Sequence, residues 1–364
     1  MALTQVDQGL LGTYAQYTGF KNRIINGAMV IDQRNAGASV TSTSGKLYAT
    51  DRFFIVKDSG TTGVMTAQQS STAPVGFTNS VKLTTTTAQA SLGATDFVRY
   101  SQIIEGYNVA DLGFGTANAN TVTLSFWVQS SLTGTFGGSL GNSAWDRTYP
   151  FTYTISVANT WEYKTVTIAG DTSGTWLTTN GIGLRVDFGL GVGSTYSGTA
   201  GAWTGSLKIS ATGATSVVGT NGATWYLTGV QLEKGSTATS FDYRPYGTEL
   251  ALCQRYCYKI ATSGGYSAYA TTGMFISTTR VDFPILLPTY MRASPTATYT
   301  AANTYLPSSA GTDFTPSAVA TAGGSASPQA ITVSFTVSGA TAGRAATLTD
   351  LNTASSNMIF SAEL

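Results

Sequence analysis

Three stretches of the sequence alternate apolar and polar residues with a period of two. Every second residue is apolar over 122–128, 182–188 and 331–337, and mostly polar residues or glycines stand between them. Successive side chains of a β-strand point to opposite faces, so this period is typical of strands with one buried face. Further strands are predicted at residues 51–57, 63–68, 80–85, 97–105, 151–157, 162–168, 203–210 and 225–232.

The composition favours strands over helices throughout the chain. Only 10% of the 364 residues are charged and 41 are glycine, while Ser and Thr are abundant. Amphipathic helices need charged faces, whereas short strands and tight turns suit a chain rich in glycine and hydroxyl groups. We therefore predict an all-β fold in a chain that is long enough for two domains.

The chain is predicted to have three parts. Residues 1–19 form a short N-terminal arm, residues 20–245 a jelly-roll-type β-sandwich, and residues 246–364 a second, smaller β-sandwich. The last part has few charges and many small residues, which suits close contact between copies of the chain. Besides 331–337, its strands are predicted at residues 255–260, 273–277, 281–286, 296–300, 345–349 and 358–362.

The junction between the two sandwiches is predicted at residues 225–260. A strand ends near Leu232 and a turn follows at Lys234 and Gly235. A helix of one or two turns is predicted from Thr248, because a hydroxyl at this position can accept hydrogen bonds from the first N–H groups. The next strand is predicted to begin near Arg255.

A buried strand pair is predicted at the start of the first sandwich. Its turn is Asn26-Gly27, a pair that favours the left-handed backbone angles of tight hairpins. The buried residues of the pair are Ile24, Ile25, Met29, Val30 and Ile31. The polar residues around them are interpreted as ion pairs and turn caps, with a ligand site as the alternative: Asn22, Arg23, Asp32 and Arg34.

Two long loops are predicted in the first sandwich, at residues 132–150 and 190–202. The first contains the best candidate binding residues, Trp145, Asp146, Arg147 and Tyr149. Sugars present an apolar C–H face and a rim of hydroxyls, so aromatic rings beside charged hydrogen-bonding groups suit them. The alternative is that these aromatic residues fold over one end of the sandwich. The same packing role is expected for Trp161, Trp176, Trp203 and Tyr196.

Several kinds of catalytic and metal chemistry are absent from the sequence. There is no histidine, which excludes Ser-His-Asp and Cys-His nucleophiles and histidine metal ligands. Cys253 and Cys257 are expected to be reduced apolar core residues, since a structural zinc site needs more ligands. We predict no catalytic residue, no metal site and no cofactor. A glycosidase stays open, because it needs only two carboxyl groups, for which Asp146, Glu162, Asp171 and Asp187 lie in the relevant region.

The charge distribution bears on possible partners. The formal net charge is +1 and no basic run occurs, so the electrostatic footprint of a nucleic-acid-binding protein is missing. No apolar stretch approaches the roughly 20 residues of a membrane span. The N-terminus lacks the basic and apolar regions of a signal peptide. We expect no nucleic acid, no membrane insertion and synthesis in a cytoplasm.

Three segments carry a resemblance to a known class of proteins. Residues 20–37 (FKNRIINGAMVIDQRNAG), 47–54 (LYATDRFF) and 226–258 resemble matching segments in tail-fibre and virion appendage proteins of tailed bacteriophages. The similar proteins include those of phages that infect cyanobacteria and other marine hosts. The resemblance implies a homotrimer, an N-terminal arm that attaches to other virion proteins, and a first sandwich that is similar to a carbohydrate-binding module.

Three functions follow as hypotheses. The first is a trimeric tail fibre or short spike in the virion that binds host-surface polysaccharide or lipopolysaccharide without cleaving it. The second is a head fibre, head-decoration or tail-assembly protein without a ligand, favoured by the lack of a long stalk in the sequence. The third is a polysaccharide depolymerase.

Overall fold

A computed structural model of the chain describes residues 21–263, 265–351 and 356–364. The predicted N-terminal arm, residues 1–19, lies outside these residues. The chain divides into two compact units, the first extending to Glu249 and the second spanning Leu250–Glu363. The predicted domain boundary, between residues 245 and 246, stands four residues before this division.

The first unit is built from short strands. They are β1 Val40–Thr41, β2 Leu47–Thr50, β3 Phe53–Lys57, β4 Val64–Ser70, β5 Ser80–Thr87, β6 Phe97–Glu105, β7 Val122–Ser130, β8 Gly134–Gly141, β9 Thr148–Ile155, β10 Glu162–Ile168, β11 Ile182–Val192, β12 Ser197–Gly198, β13 Ser210–Ala211 and β14 Thr224–Lys234. Short 3-10 turns span Gly106–Asn108 and Ala110–Leu112.

Two six-stranded sheets enclose the core of the first unit. Sheet A has the order β1-β4-β5-β14-β7-β10, and sheet B the order β2-β3-β6-β11-β8-β9. Apolar residues of both sheets form one buried cluster. The predicted alternation places Phe126 of β7 and Phe188 of β11 inside, with ring centroids 5.1 Å apart, and Trp225 of β14 packs 5.6 Å from Phe188. Full burial of such a side chain contributes about 1.5–3 kcal/mol.

The second unit is a smaller sandwich. After helix α1 (Tyr246–Gln254), its strands are β15 Cys257–Ala261, β16 Ala268–Ser277, β17 Arg280–Leu286, β18 Thr296–Tyr299, β19 Tyr305–Ser309, β20 Thr312–Asp313, β21 Ala318–Ala326, β22 Ala330–Thr336, β23 Ala345–Asp350 and β24 Asn357–Ser361. A seven-stranded sheet, β20-β19-β23-β16-β17-β22-β21, shares a core with the three-stranded sheet β15-β24-β18. The predicted fold class, an all-β chain with a jelly-roll-type sandwich and a smaller one, is confirmed.

The predicted strand pair around Asn26-Gly27 is wrong. Residues 21–39 contain no strand, although Ile24, Met29 and Ile31 are buried as expected. The Asn26 side chain replaces the strand ladder, because it donates to the carbonyl of Ile31 at 2.8 Å and accepts from its N–H at 3.0 Å. A side-chain amide that binds the backbone in this way stabilises a loop instead of a hairpin.

The polar residues around this segment cap turns and form ion pairs, as the sequence interpretation held. The Asn22 side chain accepts from Ile24 N–H at 2.9 Å, and Asp32 accepts from the backbone N–H of Asn35 at 2.9 Å. The other two residues form ion pairs, Arg23 with Asp111 at 2.7 Å and Arg34 with Asp51 at 3.6 Å.

Three further local predictions are corrected. Most of residues 132–150 form β8 and β9, not a long loop, and residues 203–209 form no strand. Helix α1 begins at Tyr246, two residues before the predicted cap. Thr248 therefore lies within its first turn and donates its backbone N–H to the carbonyl of Pro245 at 2.9 Å. Cys253 and Cys257 are buried and not in a disulfide.

The side chains on the outer face of β11 are less exposed to solvent than the alternation of its residues predicts. Arg185 and Asp187 point away from the core, yet they are 8% and 0% exposed. Residues 209–214 and the β8–β9 turn cover this part of sheet B. A Cβ at Gly189 would lie 2.7 Å from Ser210 Cβ, so glycine permits the close approach.

Two kinds of feature are absent from the described ranges. No helix in them has the length and apolarity needed to cross a membrane. Within the same ranges, no group of three or more Cys, Asp or Glu side chains is placed to hold a metal ion.

Candidate functional site

The four residues predicted to contact sugar lie on the β8–β9 hairpin. Its turn, residues 142–147, is closed by Asn142 N–H donating to the carbonyl of Arg147 at 3.0 Å. Trp145 occupies the turn with a φ of 62° and is half-buried. Asp146 is exposed and accepts from the Asn142 side chain at 2.6 Å. Tyr149 belongs to β9 and is only 9% exposed.

All four side chains are engaged with the protein itself. Asp146 accepts from Asn142, and the Trp145 ring lies 4.9 and 4.7 Å from the guanidinium carbons of Arg99 and Arg185. The Arg147 guanidinium donates two hydrogen bonds of 2.7 Å to Asp171, and this pairing raises the pKa of Arg147. The Tyr149 ring packs edge-on against Trp203, with centroids 5.3 Å apart. Asp146 is the exposed member of the set, and Trp145 and Arg147 are half-buried. That these residues bind sugar stays a prediction.

Trp161, one of the four aromatic residues expected to pack, is half-buried and lies 6.1 Å from Tyr226. The other three pack at the rim. Trp176 and Trp203 lie edge to face at 5.5 Å, and both contact Phe114. Their indole N–H groups donate to the backbone carbonyls of residues 173 and 169. Tyr196 packs against Phe97 at 5.7 Å. Trp176, Trp203 and Tyr196 thus close the rim of the first sandwich, and the indole N–H groups of the two tryptophans are already used.

A different surface of the first unit has the geometry of a binding site. The outer face of sheet A carries a groove of about 590 Å³. Its aromatic residues are Phe77, Trp127, Tyr163, Phe241 and Tyr243, and we call it the aromatic groove. The remaining lining residues are Ser125, Gly229, Ala238, Thr239 and Ser240, so none of the described residues that line it is charged.

A cross-strand pair forms one part of the lining. Trp127 of β7 stands directly opposite Tyr163 of β10 in the strand register. The ring centroids are 5.4 Å apart at an interplanar angle of 48°, and Tyr163 is 43% exposed. Directly opposed side chains support each other's orientation across an antiparallel pair. The strands thus hold two aromatic faces in fixed positions at the surface.

Three aromatic rings from loops form another part of the lining. Phe77 lies 5.1 Å from Phe241 and 5.5 Å from Tyr243. The Tyr243 hydroxyl donates to the Gly76 carbonyl at 2.6 Å, and burial raises the pKa of this phenol. Tyr243 is therefore a neutral hydrogen-bond donor near pH 7, and its ring is 59% exposed.

Gly229 makes the groove possible. It lies in β14 at an irregularity in the pairing with β7, with a φ of 61°. A Cβ at this position would lie 2.7 Å from the Phe77 ring and 3.1 Å from the Trp127 ring. Glycine alone fits both the left-handed backbone and the space between the two rings.

The segment at residues 238–243 is fixed by buried polar groups beneath it. Glu233 accepts from the backbone N–H of Thr239 at 2.8 Å and from its hydroxyl at 2.7 Å. Gln231 accepts from the backbone N–H of Asp242 at 2.8 Å. The charge-assisted bonds of Glu233, together with the amide bond of Gln231, hold the segment in one conformation. The groove is therefore pre-formed.

The groove contains hydrogen-bonding groups that the protein leaves unused. The Trp127 indole N–H and the Ser125 hydroxyl make no hydrogen bond within the described residues. Aromatic faces with a few hydroxyl and indole groups match a sugar, whose C–H face stacks on rings while its hydroxyls exchange hydrogen bonds.

Sequence reasoning missed this site. One signal was present: the alternation at 122–129 places Trp127 on the face opposite the core, among Thr123 and Ser125. A large aromatic residue at an outward position of a strand indicates a surface contact. Its pairing with Tyr163 depends on the strand register, which no local pattern in the sequence contains.

Comparisons with known proteins gave only weak structural similarities. No protein-family model and no curated protein matches the chain. A putative sugar binding protein from Bacteroides thetaiotaomicron aligns with 59% of this chain and 100% of its own, at 13% identity and a TM-score of 0.33. The family 11 carbohydrate-binding module of cellulase Lic26A-Cel5E from Clostridium thermocellum aligns with 57% of this chain and 98% of its own, at 8% identity and a TM-score of 0.27.

A phage protein is among the similar structures as well. The enzymatically active domain of tailspike protein 4 from bacteriophage CBA120 aligns with 59% of this chain at 10% identity and a TM-score of 0.31. The chain spans only 21% of the length of that domain. Identities and TM-scores this low assign no function.

Proposed function

We propose that the first unit binds a neutral glycan in the aromatic groove and does not cleave it. The observation that carries this proposal is the cross-strand pair of Trp127 and Tyr163 on the outer face of sheet A, in a groove whose described lining residues carry no charge. Uncharged sugars gain from aromatic stacking and hydroxyl contacts, whereas anionic ones need a cation to compensate for the loss of hydration.

The size of the groove suits a short stretch of sugar chain. Ligand sites are commonly concave, largely apolar and about 300–1,000 Å³ in volume, and this groove measures about 590 Å³. Its preformed walls reduce the entropy cost of binding. A glycosidase would need two carboxyl groups about 5–10 Å apart at the bound sugar, and the lining supplies rings and hydroxyls instead.

The experiment is a titration of the purified chain with neutral oligosaccharides prepared from the host-surface polysaccharide. Saturable binding without release of reducing sugar is the expected result. Release of reducing sugar would replace the binding proposal with a depolymerase. Absence of binding to every neutral fraction would contradict the groove assignment.

The wider setting is also part of the proposal. We infer that the protein is a phage virion component, a homotrimeric tail fibre or short spike assembled in the host cytoplasm. The resemblance of residues 20–37, 47–54 and 226–258 supports it. Weak single-site contacts would gain avidity when three copies, and many trimers on one particle, bind together. The partners would be host-surface polysaccharide or lipopolysaccharide, and other virion proteins through residues 1–19.

Immunogold imaging of virus particles tests the location. Label on the tail or its tip is expected. Label on the head would favour the head-fibre or head-decoration function, and unlabelled particles would remove the protein from the virion.

A further inference from the structure

One arginine in the first unit is buried without an acidic partner. Arg185 of β11 is only 8% exposed. Its guanidinium makes one long hydrogen bond, 3.5 Å to the carbonyl of Ser143, and its Nε–H has no acceptor. No Asp or Glu oxygen of the described residues lies within ion-pair distance of it. A buried cation is costly unless it is paired, so this arginine lacks the compensation that is usual.

The groups around Arg185 leave the cluster with a net positive charge. Asp187 is the nearby acid, but its Oδ1 is engaged by Arg99 and Ser101, each at 2.5 Å. Arg99 is therefore neutralised, and Arg185 is not. Burial lowers the pKa of Arg185 to about 10, the nearby Asp187 acts against this, and Arg99 adds to it.

Trp145 links the two arginines. The guanidinium carbons of Arg99 and Arg185 lie 4.9 and 4.7 Å from the centroid of its ring. Contacts of this kind between a cation and an aromatic ring are attractive. Trp145 and Ser143 belong to the β8–β9 turn, and the turn residues Ala144 and Asp146 are exposed. The arginine pair thus sits directly beneath the hairpin tip.

Other polar atoms in this part of sheet B also lack partners. They are Asp187 Oδ2, Ser139 Oγ, Ser210 Oγ and Arg99 Nε, all buried. Ser139 stands opposite Asp187 in the strand register. Buried polar atoms are nearly always hydrogen-bonded. The unpaired donors here, Arg99 Nε–H and the two serine hydroxyls, can serve an acceptor such as an anion, whereas Asp187 Oδ2 needs a donor.

We propose that Arg185, with Arg99 and the Trp145 hairpin tip, binds the carboxylate of an acidic sugar. A guanidinium presents paired N–H groups in a plane, which match the two oxygens of a carboxylate. The anion would supply the missing negative charge and the missing acceptors of Arg185. This site is separate from the aromatic groove. The proposal rests on the proposed function in one respect: the carboxylate is expected to belong to a glycan.

The test is a titration of the full chain with sodium galacturonate, followed by tryptophan fluorescence. We expect saturable binding that weakens as NaCl is raised, because charge pairs are screened. Galactose, the neutral counterpart, should give no response at the same concentrations. The fluorescence change should vanish in Trp145→Phe while calorimetry still detects binding, since the ring reports on the arginine pair.

Arg185→Gln should weaken galacturonate binding by about tenfold or more, as expected when a charge-assisted hydrogen bond is lost. Arg185→Lys, which keeps the charge without the planar fork, should give an intermediate loss. Arg280→Gln is the matched control, because Arg280 is exposed and paired with Asp282, and it should bind like the wild type. Thermal melts of each variant verify folding.

Four results would overturn the proposal. The first three are the absence of saturable galacturonate binding, equal binding by Arg185→Gln, and loss of binding in Trp127→Ala with retention in Arg185→Gln. The third would place the acid in the aromatic groove, and the fourth comes from a comparison with sulfate. Inorganic sulfate that displaces galacturonate from the wild type supports the anion site; galacturonate that binds no tighter than sulfate would overturn the sugar contribution. If neutral glycans fail to bind but galacturonate binds as expected, the aromatic groove proposal is contradicted and the Arg185 site is not.

Discussion

Trp127 and Tyr163 stand opposite each other on neighbouring strands, with ring centroids 5.4 Å apart. Both project from the side of sheet A that faces away from the core. The inward-pointing residues of sheet A, such as Phe126 of β7, belong to the sandwich core. One alternation therefore builds the fold with one set of residues and presents rings for recognition with the other.

Gly229→Ala should both destabilise the first unit and reduce glycan binding. The added methyl would lie 2.7 Å from the Phe77 ring, in a backbone conformation with a φ of 61°. Overpacking of this kind costs about 1–3 kcal/mol, measurable by urea unfolding. Gly222→Ala is the control, since its φ is 74° but no atom lies within 4 Å of the added Cβ. Equal unfolding free energies for the two variants would show that space at Gly229 is not limiting.

Arg147→Ala should reduce stability more than it reduces sugar binding. Asp171 is 2% exposed and receives both hydrogen bonds from Arg147, so its carboxylate would be left buried and unpaired. The loss is expected at about 2–3 kcal/mol, because the arginine itself keeps some solvent contact. Denaturant melts measure it. A variant that is stable but binds glycan poorly would instead support Arg147 as a ligand contact.

The chain should sediment as a trimer, with three times the chain mass of 37.9 kDa. Only 10% of its residues are charged, and the second unit exposes large apolar side chains. These are Met274, Ile276, Leu286 and Tyr290, between 47% and 80% exposed. Apolar area of this kind is usually covered in an assembly. Analytical ultracentrifugation that finds a monomer at micromolar concentration would contradict the trimer.

Removal of residues 1–19 should leave glycan binding unchanged and prevent incorporation into virus particles. The residues that line the groove all lie between Phe77 and Tyr243, outside the deleted segment. Particles assembled with the truncated chain are analysed by immunoblotting after density-gradient purification. Normal incorporation would show that the arm is not the attachment element.

Much of the sheet structure could be predicted, because alternation is local. The strands Phe97–Glu105 and Glu162–Ile168 have the bounds that the pattern indicates. The strand Gly134–Gly141 was missed because four of its residues are glycines, which carry no side chain to reveal a period. Gly138 is needed there, since a Cβ would lie 2.5 Å from the Phe151 ring. Contacts between distant segments impose such glycines.

The binding groove could be predicted only in part. Trp127 is a large aromatic residue at a strand position that points away from the core, where polar residues are usual. This is visible in the sequence. Phe77 and Phe241 belong to loops, and their meeting depends on buried bonds such as those of Glu233 to Thr239. The Asn26 side chain likewise converts a hairpin-like sequence into a loop by bonding to Ile31. These side-chain hydrogen bonds join residues only five and six positions apart, but an alternation of apolar and polar residues does not reveal them.

Isothermal titration of neutral host oligosaccharide into Trp127→Ala, compared with the wild type, tests the central claim most directly. The ring contributes stacking worth about 1–2 kcal/mol, so binding should weaken about tenfold while the melting temperature stays within a few degrees. Tyr107→Ala is the control, because Tyr107 is 61% exposed and does not line the groove. Undiminished binding by a folded Trp127→Ala protein would contradict the account.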